Sequence, residues 1–295
     1  MSTRRRLLPD GWGLSLSEIQ ALTGPTVAWF GLFLLLPLAV VLVYSFLGYA
    51  SFSVVWEFTL GSYTGTVLSE TVLSTTALTV GIGLVVTVIT LVFGYPLAYF
   101  LRFYMSERAG ILLLLFLVIP FWTSSVIRTI AWIPILGQTG IINKTLQSVG
   151  VIGEPLGWLL FTPVSMAIGY LQNYVVFMAA PIYISLSQIN KDLLDASETL
   201  RGTPLATFRN VTLPLSLPGV AIGCMFTFVL TIGNFSVPSF LSGGQGTITT
   251  LIYDSVNNGL RYPDASAMSI MLLLIIFLFV YALLRRVDIT AIAQD

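Results

Sequence analysis

Long apolar runs separated by short polar connections make up most of the chain. They cover residues 26–47, 71–101, 110–136, 158–186, 215–240 and 265–284. A helix needs about 20 apolar residues to cross a lipid bilayer, and every run reaches that length. The first run is retained as a span because no small-residue cleavage site follows it. The pattern predicts an all-α membrane protein with six transmembrane helices.

The second and third runs predict irregular helices. The run at 71–101 is longer than a straight span requires, so we expect it to tilt, to bend near Pro96 or to include surface turns. In the run at 110–136, Pro120 and the hydroxyl residues after it are expected to break the helix before Arg128. An arginine therefore follows a break inside an apolar stretch.

The fourth run contains Pro163 and Pro181, each of which predicts a break or a kink. It leads into residues 191–218, the longest polar interruption of the chain. Because a segment with this many charges is costly in the hydrocarbon core, we place it outside the bilayer and interpret it as the working surface of the protein.

Two short helices are predicted in this polar stretch. Asn190 is suited to cap the first helix and Gly202 to end it. Thr203 and Pro204 provide a side-chain cap and a favoured first residue for a second helix over residues 205–211. One face of the first helix carries three apolar residues at helical spacing: Leu193, Ala196 and Leu200. Both helices are expected to lie at an angle outside the bilayer.

Composition supports the membrane assignment and narrows the function. Hydrophobic residues make up 56% of the chain, charged residues make up 9%, and the mean hydropathy is +0.92. The formal net charge of zero argues against a nucleic-acid partner. A single cysteine, Cys224, allows no intrachain disulfide, and the absence of histidine removes most zinc sites and histidine-based catalysis.

The basic residues predict the orientation of the spans. When the N-terminus is cytoplasmic, ten of the 13 lysines and arginines fall inside: Arg4, Arg5, Arg6, Arg102, Arg108, Lys191, Arg201, Arg209, Arg285 and Arg286. Arg128, Lys144 and Arg261 fall outside or near the outer side. This distribution agrees with the positive-inside rule. Both termini and the polar stretch are therefore predicted to be cytoplasmic.

The chain carries no visible energy source for transport. A glycine-rich phosphate loop ending in Gly-Lys-Ser or Gly-Lys-Thr is absent from the sequence. None of the six runs contains aspartate or glutamate, whereas a proton- or sodium-coupled carrier usually keeps a buried carboxylate. Secondary transport is therefore disfavoured.

The polar stretch resembles the cytoplasmic loop of the permease subunits of ATP-binding-cassette (ABC) importers. The family pattern runs Glu-Ala-Ala, three residues, Gly, nine residues, a branched apolar residue, one residue and Leu-Pro. With Leu213 and Pro214 at its end, Val211 takes the branched position. The coupling loop of this chain is then residues 188–213.

In the same alignment, Asp195, Ala196 and Ser197 take the place of Glu-Ala-Ala. Arg201 stands where the family has Gly, and Gly202 follows one residue late, which predicts a shifted turn between the two helices. In the family, this loop is the coupling helix that docks into a separate ATPase subunit. The resemblance implies that role for Asp195, Ala196, Ser197, Glu198, Leu200, Arg201 and Gly202.

A second stretch, PFWTSSVIRTIAW from Pro120 followed by LGQTGIINKTL, is similar to the first permease of spermidine/putrescine importers. That family has the type I importer arrangement, in which two permeases face each other beneath a periplasmic substrate-binding protein. The resemblance implies a non-catalytic permease of a prokaryotic inner membrane, with a second, homologous permease beside it and with ATP and Mg²⁺ on a partner ATPase. It implies a polyamine as solute, and related systems for opines, iron and other small organic solutes leave that choice open.

These observations divide the chain into four segments. Residues 1–25 form a cytoplasmic or interfacial segment, and residues 26–70 the first helix and an external loop. Residues 71–287 form the five-helix core that the resemblance identifies as the type I transmembrane unit, and residues 288–295 a cytoplasmic tail.

Seven residues are candidates for the translocation path: Trp122, Thr123, Ser124, Arg128, Asn173, Tyr174 and Asn234. Each has an alternative role. Arg128 is a gate or interface residue in one interpretation, and in the other its guanidinium reaches the lipid headgroups. Residues 122–125 line an outer gate or form a plain broken helix end. The three residues on the fourth and fifth runs contact solute or form hydrogen bonds between helices.

Two other classes can be separated from an importer permease by experiment. A channel or self-sufficient carrier would work alone in liposomes, whereas an importer permease would be inert without its ATPase and binding protein. A membrane enzyme would need a catalytic constellation, and the sequence shows neither paired intramembrane carboxylates nor a serine beside a general base.

Overall fold

The computed structural model describes residues 16–50, 52–199 and 203–285. In this part of the chain the α-helices are α1 (Leu16–Phe30), α2 (Leu36–Tyr44), α3 (Glu70–Phe103), α4 (Glu107–Val118), α5 (Ser125–Ile130), α6 (Ile133–Leu136), α7 (Ile141–Ser148), α8 (Pro163–Ser187), α9 (Lys191–Thr199), α10 (Pro204–Thr207), α11 (Leu213–Ile232), α12 (Ser236–Leu241), α13 (Ile248–Asn257) and α14 (Tyr262–Leu284). Wider π-helical turns lie at Gly31–Leu35, Ser62–Val67 and Phe208–Thr212, and 3₁₀ turns at Ile119–Trp122 and Gly157–Leu159.

Among the described residues, six helical segments are long and apolar enough to cross a membrane. They are Thr23–Tyr44, Glu70–Phe103, Ser125–Ser148, Pro163–Ser187, Pro204–Ile232 and Tyr262–Leu284. Their number and type confirm the predicted all-α fold with six transmembrane helices. The observed ranges depart most from the predicted runs in the third and fifth crossings.

The third crossing is interrupted, as the position of Pro120 predicts. Helix α4 ends at Val118, and a 3₁₀ turn carries the chain to Thr123, whose backbone is extended with φ −92° and ψ 154°. Helix α5 then starts at Ser125. The interruption leaves backbone carbonyl groups in an apolar region, and these groups need other partners.

The short apolar helix α4 belongs to this crossing. It starts beside the end of α3, where a Cβ added at Gly110 would lie 2.6 Å from the carbonyl oxygen of Leu101. The segment Ser125–Ser148 reaches the length of a span only when α5, α6 and α7 are joined across their breaks. We therefore assign the third crossing to residues 107–136, close to the predicted 110–136.

The prediction of a break or kink at Pro163 is wrong. Pro163 is the first residue of α8 and Thr162 caps that helix with its side chain, so the proline starts the helix. Pro96 and Pro181 lie inside helices that continue past them. With 34 residues, α3 is about 50 Å long. Its length therefore exceeds a bilayer core without any break.

The fifth crossing starts earlier than predicted and is divided near its end. Helix α10, the π-helical turn Phe208–Thr212 and α11 form one continuous segment. The predicted separate surface helix over residues 205–211 is therefore wrong. Pro214 offers no N–H to a regular helical ladder, and the wide turn before it keeps the helix continuous. Beyond Ile232 the chain turns and resumes as α12, which splits the predicted run 215–240.

The external loop predicted after the first span contains regular structure. Leu47–Ala50 and Ser53–Phe58 pair as an antiparallel hairpin, β1 and β2. Tyr49 fastens the hairpin to the chain before α14, because its hydroxyl donates a hydrogen bond of 2.7 Å to the carbonyl oxygen of Gly259. No pattern in the sequence identifies the hairpin, because strands this short carry little periodic signal.

Helices α3, α8 and α11 pack on one another through small residues. Met178 of α8 lies between Gly94 of α3 and Gly223 of α11. A Cβ added at Gly94 would lie 2.8 Å from a Met178 side-chain atom, and one at Gly223 would lie 2.7 Å from the Met178 sulfur. Close approach of helix backbones supplies the van der Waals contacts that drive association in lipid. These three helices therefore form the core of the bundle.

The last helix begins earlier than predicted and contains a carboxylate. Asp264 lies in the first turn of α14 and is 5% exposed. It accepts a hydrogen bond of 2.9 Å from Thr66 and lies 2.7 Å from Arg261, a contact that is close but not aligned as a hydrogen bond. The prediction of spans free of aspartate and glutamate is therefore wrong. Glu70 and Glu107 are the first residues of α3 and α4, and Asp264 is buried in α14, where an ion pair makes burial tolerable.

Candidate functional site

Helix α9 lies at the end of the bundle where α3 and α8 finish, which we call the basic end. There, Nε of Arg102 donates a hydrogen bond of 3.3 Å to the carbonyl oxygen of Leu186. The side-chain oxygen of Asn190 accepts a hydrogen bond of 3.1 Å from the backbone N–H of Asp192, which confirms the predicted cap. The Asp192 carboxylate adds negative charge at the positive end of the helix dipole.

The predicted coupling residues divide into two groups. Asp195, Ala196, Ser197 and Glu198 lie on α9. Leu200, Arg201 and Gly202 lie outside the described residues. The structure thus supports a helix over the first part of the coupling loop, and the shifted turn stays a prediction.

One side of α9 faces the bundle and another side is open. Leu194 packs against the hydrophobic cluster of α3 and α8, whereas Leu193 is 48% exposed. The hydroxyl of Ser197 shares a hydrogen bond of 2.8 Å with the hydroxyl of Thr207 at the base of the fifth crossing. Helix α9 is therefore attached to the bundle and presents an apolar position away from it.

Phe208 lies beside this attachment, and the sequence analysis does not identify it. Its ring meets the rings of Tyr95 and Tyr99 edge-on, with centroids 5.6 and 6.2 Å apart. The hydroxyl of Tyr95 shares a hydrogen bond of 2.9 Å with that of Ser216 on α11. The four-residue spacing of the two tyrosines on one helix face is the available sequence signal.

Arg128 holds the interrupted third crossing together. Its Nη1 donates to the carbonyl oxygens of Pro120 and Thr123, at 2.6 and 2.7 Å. Its Nε donates to Oδ1 of Asn173 at 3.1 Å, and its guanidinium carbon lies 4.7 Å from the ring centre of Phe121. The guanidinium therefore caps the carbonyl groups of the broken helix, a role that neither sequence interpretation included.

A second network bridges the interruption of the fifth crossing. The hydroxyl of Tyr174 donates to the carbonyl oxygen of Leu230 at 2.9 Å, and Nδ2 of Asn234 donates to the Tyr174 oxygen at 2.6 Å. Oδ1 of Asn234 accepts from the backbone N–H of Val237 on α12 at 2.9 Å. These bonds agree with the interhelical alternative for Tyr174 and Asn234, and contact with solute stays a prediction.

Hydrogen bonds link four path candidates at one level of the bundle, Arg128 with Asn173 and Tyr174 with Asn234. Asn173 and Tyr174 are neighbours on α8, and each ties α8 to one of the two interruptions. The short helices α5 and α12 that follow the interruptions pack against each other. Residues 122–124 are exposed, and Trp122 is 87% exposed. Nδ2 of Asn173 and Oε1 of Gln172 are buried without a hydrogen-bond partner, so this level has unused polar capacity.

The side chains at this level are polar or aromatic, and one of them is charged. They combine neutral polar groups, aromatic rings and one arginine. Within the described ranges, no group of three histidine, cysteine, aspartate or glutamate side chains is placed to hold a metal ion. Such a set of groups can hydrogen-bond a solute and offers no nucleophile paired with a base.

Residues 94–289 match the protein family described as the binding-protein-dependent transport system inner membrane component. The chain is 33% identical over 259 residues to the spermidine/putrescine transport system permease protein PotB of Escherichia coli, which covers 86% of this chain and 93% of that protein. It is 28% identical over 223 residues to the molybdenum transport system permease protein ModB of Azotobacter vinelandii, which covers 73% and 94%.

The fold is shared with solved importer structures. A bacterial ABC transporter that imports the acidic polysaccharide alginate matches with a TM-score of 0.66 at 19% identity, over 92% of this chain and 96% of that chain. The inward-facing MetNI methionine ABC transporter matches with a TM-score of 0.53 at 18% identity, over 76% and 99%. With six apolar helices and the family match, this chain belongs to the binding-protein-dependent transport system inner membrane components, the multi-pass permeases of ABC importers.

Proposed function

We propose that this permease imports polyamines of the spermidine and putrescine type. The observation that carries the proposal is the 33% identity to PotB, which extends over 86% of this chain and 93% of that protein. Similarity along nearly the full length of both chains supports a shared class of solute better than similarity confined to one segment. Opines, iron and other small organic solutes are the alternatives.

The passage itself would bind a polyamine weakly. Its candidate lining residues are neutral apart from Arg128, and an arginine does not attract a polycation. A periplasmic binding protein would therefore select the solute and deliver it. This division of labour needs only a polar route of low affinity through the permease.

ATP-driven movement would enter the permease at α9. Residues 195–202 would dock into a groove of an ABC ATPase, and that partner would hold the ATP and Mg²⁺. The exposed Leu193 beside them supports an apolar contact with a partner. The positive-inside rule would place the basic end, and with it both termini, in the cytoplasm.

Transport would then follow from alternating access. ATP binding would draw two ATPase subunits together, move the coupling helices inward and turn the spans from inward-facing to outward-facing. A second, homologous permease would form the other half of the route. The lining from this chain would be Trp122, Thr123, Ser124, Arg128, Asn173, Tyr174 and Asn234.

Reconstitution tests the solute and the need for partners together. The permease is co-purified with its ATPase and the second permease, placed in proteoliposomes with ATP and supplied with the binding protein. Labelled spermidine and putrescine are expected to enter only when ATP and every partner are present, and labelled molybdate is expected to stay outside. ATP-dependent uptake of molybdate alone, or uptake of any solute by the permease alone, would refute the proposal.

A charge reversal tests the docking site. Replacing both Asp195 and Glu198 by lysine is expected to abolish uptake and ATPase stimulation while the spans stay folded, because the coupling helix would no longer fit its partner. Uptake and ATPase rates are compared with those of the Glu57→Gln variant, which changes an exposed hairpin residue. Normal uptake with normal stimulation in the double variant would contradict the assignment.

A further inference from the structure

The base of the fifth crossing connects α9 to the membrane core. The hydroxyl groups of Ser197 and Thr207 share a hydrogen bond of 2.8 Å. The next residue, Phe208, opens the π-helical turn Phe208–Thr212 and packs, partly buried, against the core cluster of α3 and α8. Helix α9 is therefore bonded to the residue directly before this turn.

Tyr95 of α3 is held from two sides by the turn and the helix that follows it. The Phe208 ring meets its ring at a centroid distance of 5.6 Å and an angle of 86°. The hydroxyl of Ser216 shares a hydrogen bond of 2.9 Å with the hydroxyl of Tyr95. It also donates a hydrogen bond of 3.0 Å to the carbonyl oxygen of Leu213. Because packed interiors deform little, a shift of the turn must move Tyr95 or break these contacts.

Tyr95 can pass such a shift to the rest of the core. The preceding residue, Gly94, lies so close to Met178 of α8 that an added Cβ would be 2.8 Å from its side chain. Phe208 also meets Tyr99, one turn further along α3, at 6.2 Å. The Phe208 ring thus contacts two successive turns of α3, and α3 packs closely against α8. π-helical turns often lie at functional sites, and gain or loss of the extra residue in such a turn rotates the helix beyond it.

We propose that Phe208 is a positioning residue that transmits the movement of α9 to the membrane core in each transport cycle. This inference rests on the proposed docking of an ATPase at α9. Phe208 contacts neither the ATPase nor the solute in this scheme, since it acts through Tyr95 and Tyr99. The amount of solute moved per ATP hydrolysed should therefore depend on its aromatic ring.

The test measures spermidine uptake and ATP hydrolysis in the complete reconstituted transporter. Phe208→Ala is expected to lower uptake per ATP about tenfold, within the range of coupling free energies, while hydrolysis changes less than about twofold. The ATPase is expected to co-purify as before. Phe208→Tyr keeps the ring and is expected to retain most of the coupling.

Phe100→Ala is the matched control. It removes a phenyl ring from the end of α3 against which Phe208 packs, but Phe100 is 51% exposed and its ring stacks on that of Tyr104 at 5.8 Å. Uptake per ATP is expected to match the unmodified protein. An equal loss of coupling in this control would overturn the role of Phe208, because any ring at this end of the helix would then have the same effect.

Two further results would overturn the proposal. Unchanged uptake per ATP in Phe208→Ala would remove the ring from the transmission route, and loss of the co-purifying ATPase would make Phe208 part of the docking surface. If Phe208→Ala yields too little folded protein, Phe208→Leu keeps most of the apolar volume and supplies the same readout. Failure of the unmodified permease to bind any ATPase would instead refute the proposed function, before a variant is made.

Discussion

Helix α8 of the core and the first span differ in both hydropathy and packing, and the more apolar of the two is the less buried. The first span, Thr23–Tyr44, has a mean hydropathy of 2.5 and none of its most apolar stretch is buried, whereas α8 has 1.3 and half is buried. Helices in lipid gain no hydrophobic energy by meeting each other, so close packing comes from small residues and hydrogen bonds. Hydropathy therefore locates a span but does not tell whether lipid or other helices surround it.

Overfilling the core should have the largest effect on stability. Gly223→Leu places new atoms against the Met178 sulfur and backbone, where even a Cβ would be 2.7 Å from the sulfur. We expect a loss of about 3 kcal/mol, seen as a lower midpoint of thermal unfolding in detergent. Gly31→Leu in the first span is the matched control, because nothing lies within 4 Å of a Cβ added there. Equal losses in both variants would contradict the contrast between core and first span.

Removing the arginine cap should have the next largest effect. Arg128→Met keeps a long side chain but leaves the carbonyl groups of Pro120 and Thr123 and the amide of Asn173 without this donor. We expect a loss of about 2 kcal/mol in the same assay. Arg128→Lys should show part of that loss, since one ammonium group can keep some of these hydrogen bonds but cannot reach all three acceptors. An Arg128→Met variant as stable as the original would show that the network is dispensable.

The tie between the segment after the first span and α14 should matter less. Asp264→Asn keeps an acceptor for Thr66 but weakens the contact with the half-exposed Arg261, whose guanidinium carbon lies 5.7 Å from the ring centre of Tyr49 in the hairpin. We expect a loss of about 1 kcal/mol and faster cleavage of the hairpin β1–β2 in limited proteolysis. Glu57→Gln, on the exposed hairpin, should change neither readout. A hairpin equally protected in both variants would show that Asp264 does not hold it.

A truncation in the first span should have the smallest effect. Trp29 is exposed and its ring contacts Phe33 of the same segment at 4.3 Å. Trp29→Ala should change the stability of the isolated chain by less than about 0.5 kcal/mol. A loss as large as that of Arg128→Met would mean that the first span packs on the core after all.

The helix ends were predictable where the signal is local. Asn190 and the pair Thr203–Pro204 cap helices in the structure as their types suggest. Pro163 was misjudged because a proline interrupts a helix in its interior and favours one at its first position. Thr162, directly before it, is the cap that distinguishes the two cases.

The residues of the candidate site were predictable from the sequence, but their hydrogen-bond partners were not. Polar side chains in apolar runs pointed to Arg128, Asn173, Tyr174 and Asn234. Arg128 bonds a partner 45 positions away, and Tyr174 one 60 positions away. Neither separation follows any helical period. Phe208 looks like any other apolar residue in the sequence and acquires its place only from Tyr95 and Tyr99.

The sequence by itself determined that the chain crosses a membrane six times, where the third crossing breaks and where α9 begins. Each of these depends on hydropathy, a proline or a cap within a few neighbouring residues. Only the tertiary structure decided that Arg128 caps a broken helix, that Met178 sits between two glycines and that Phe208 meets α3. These features join residues from different crossings, and the energy of such a contact depends on distances that no local pattern specifies.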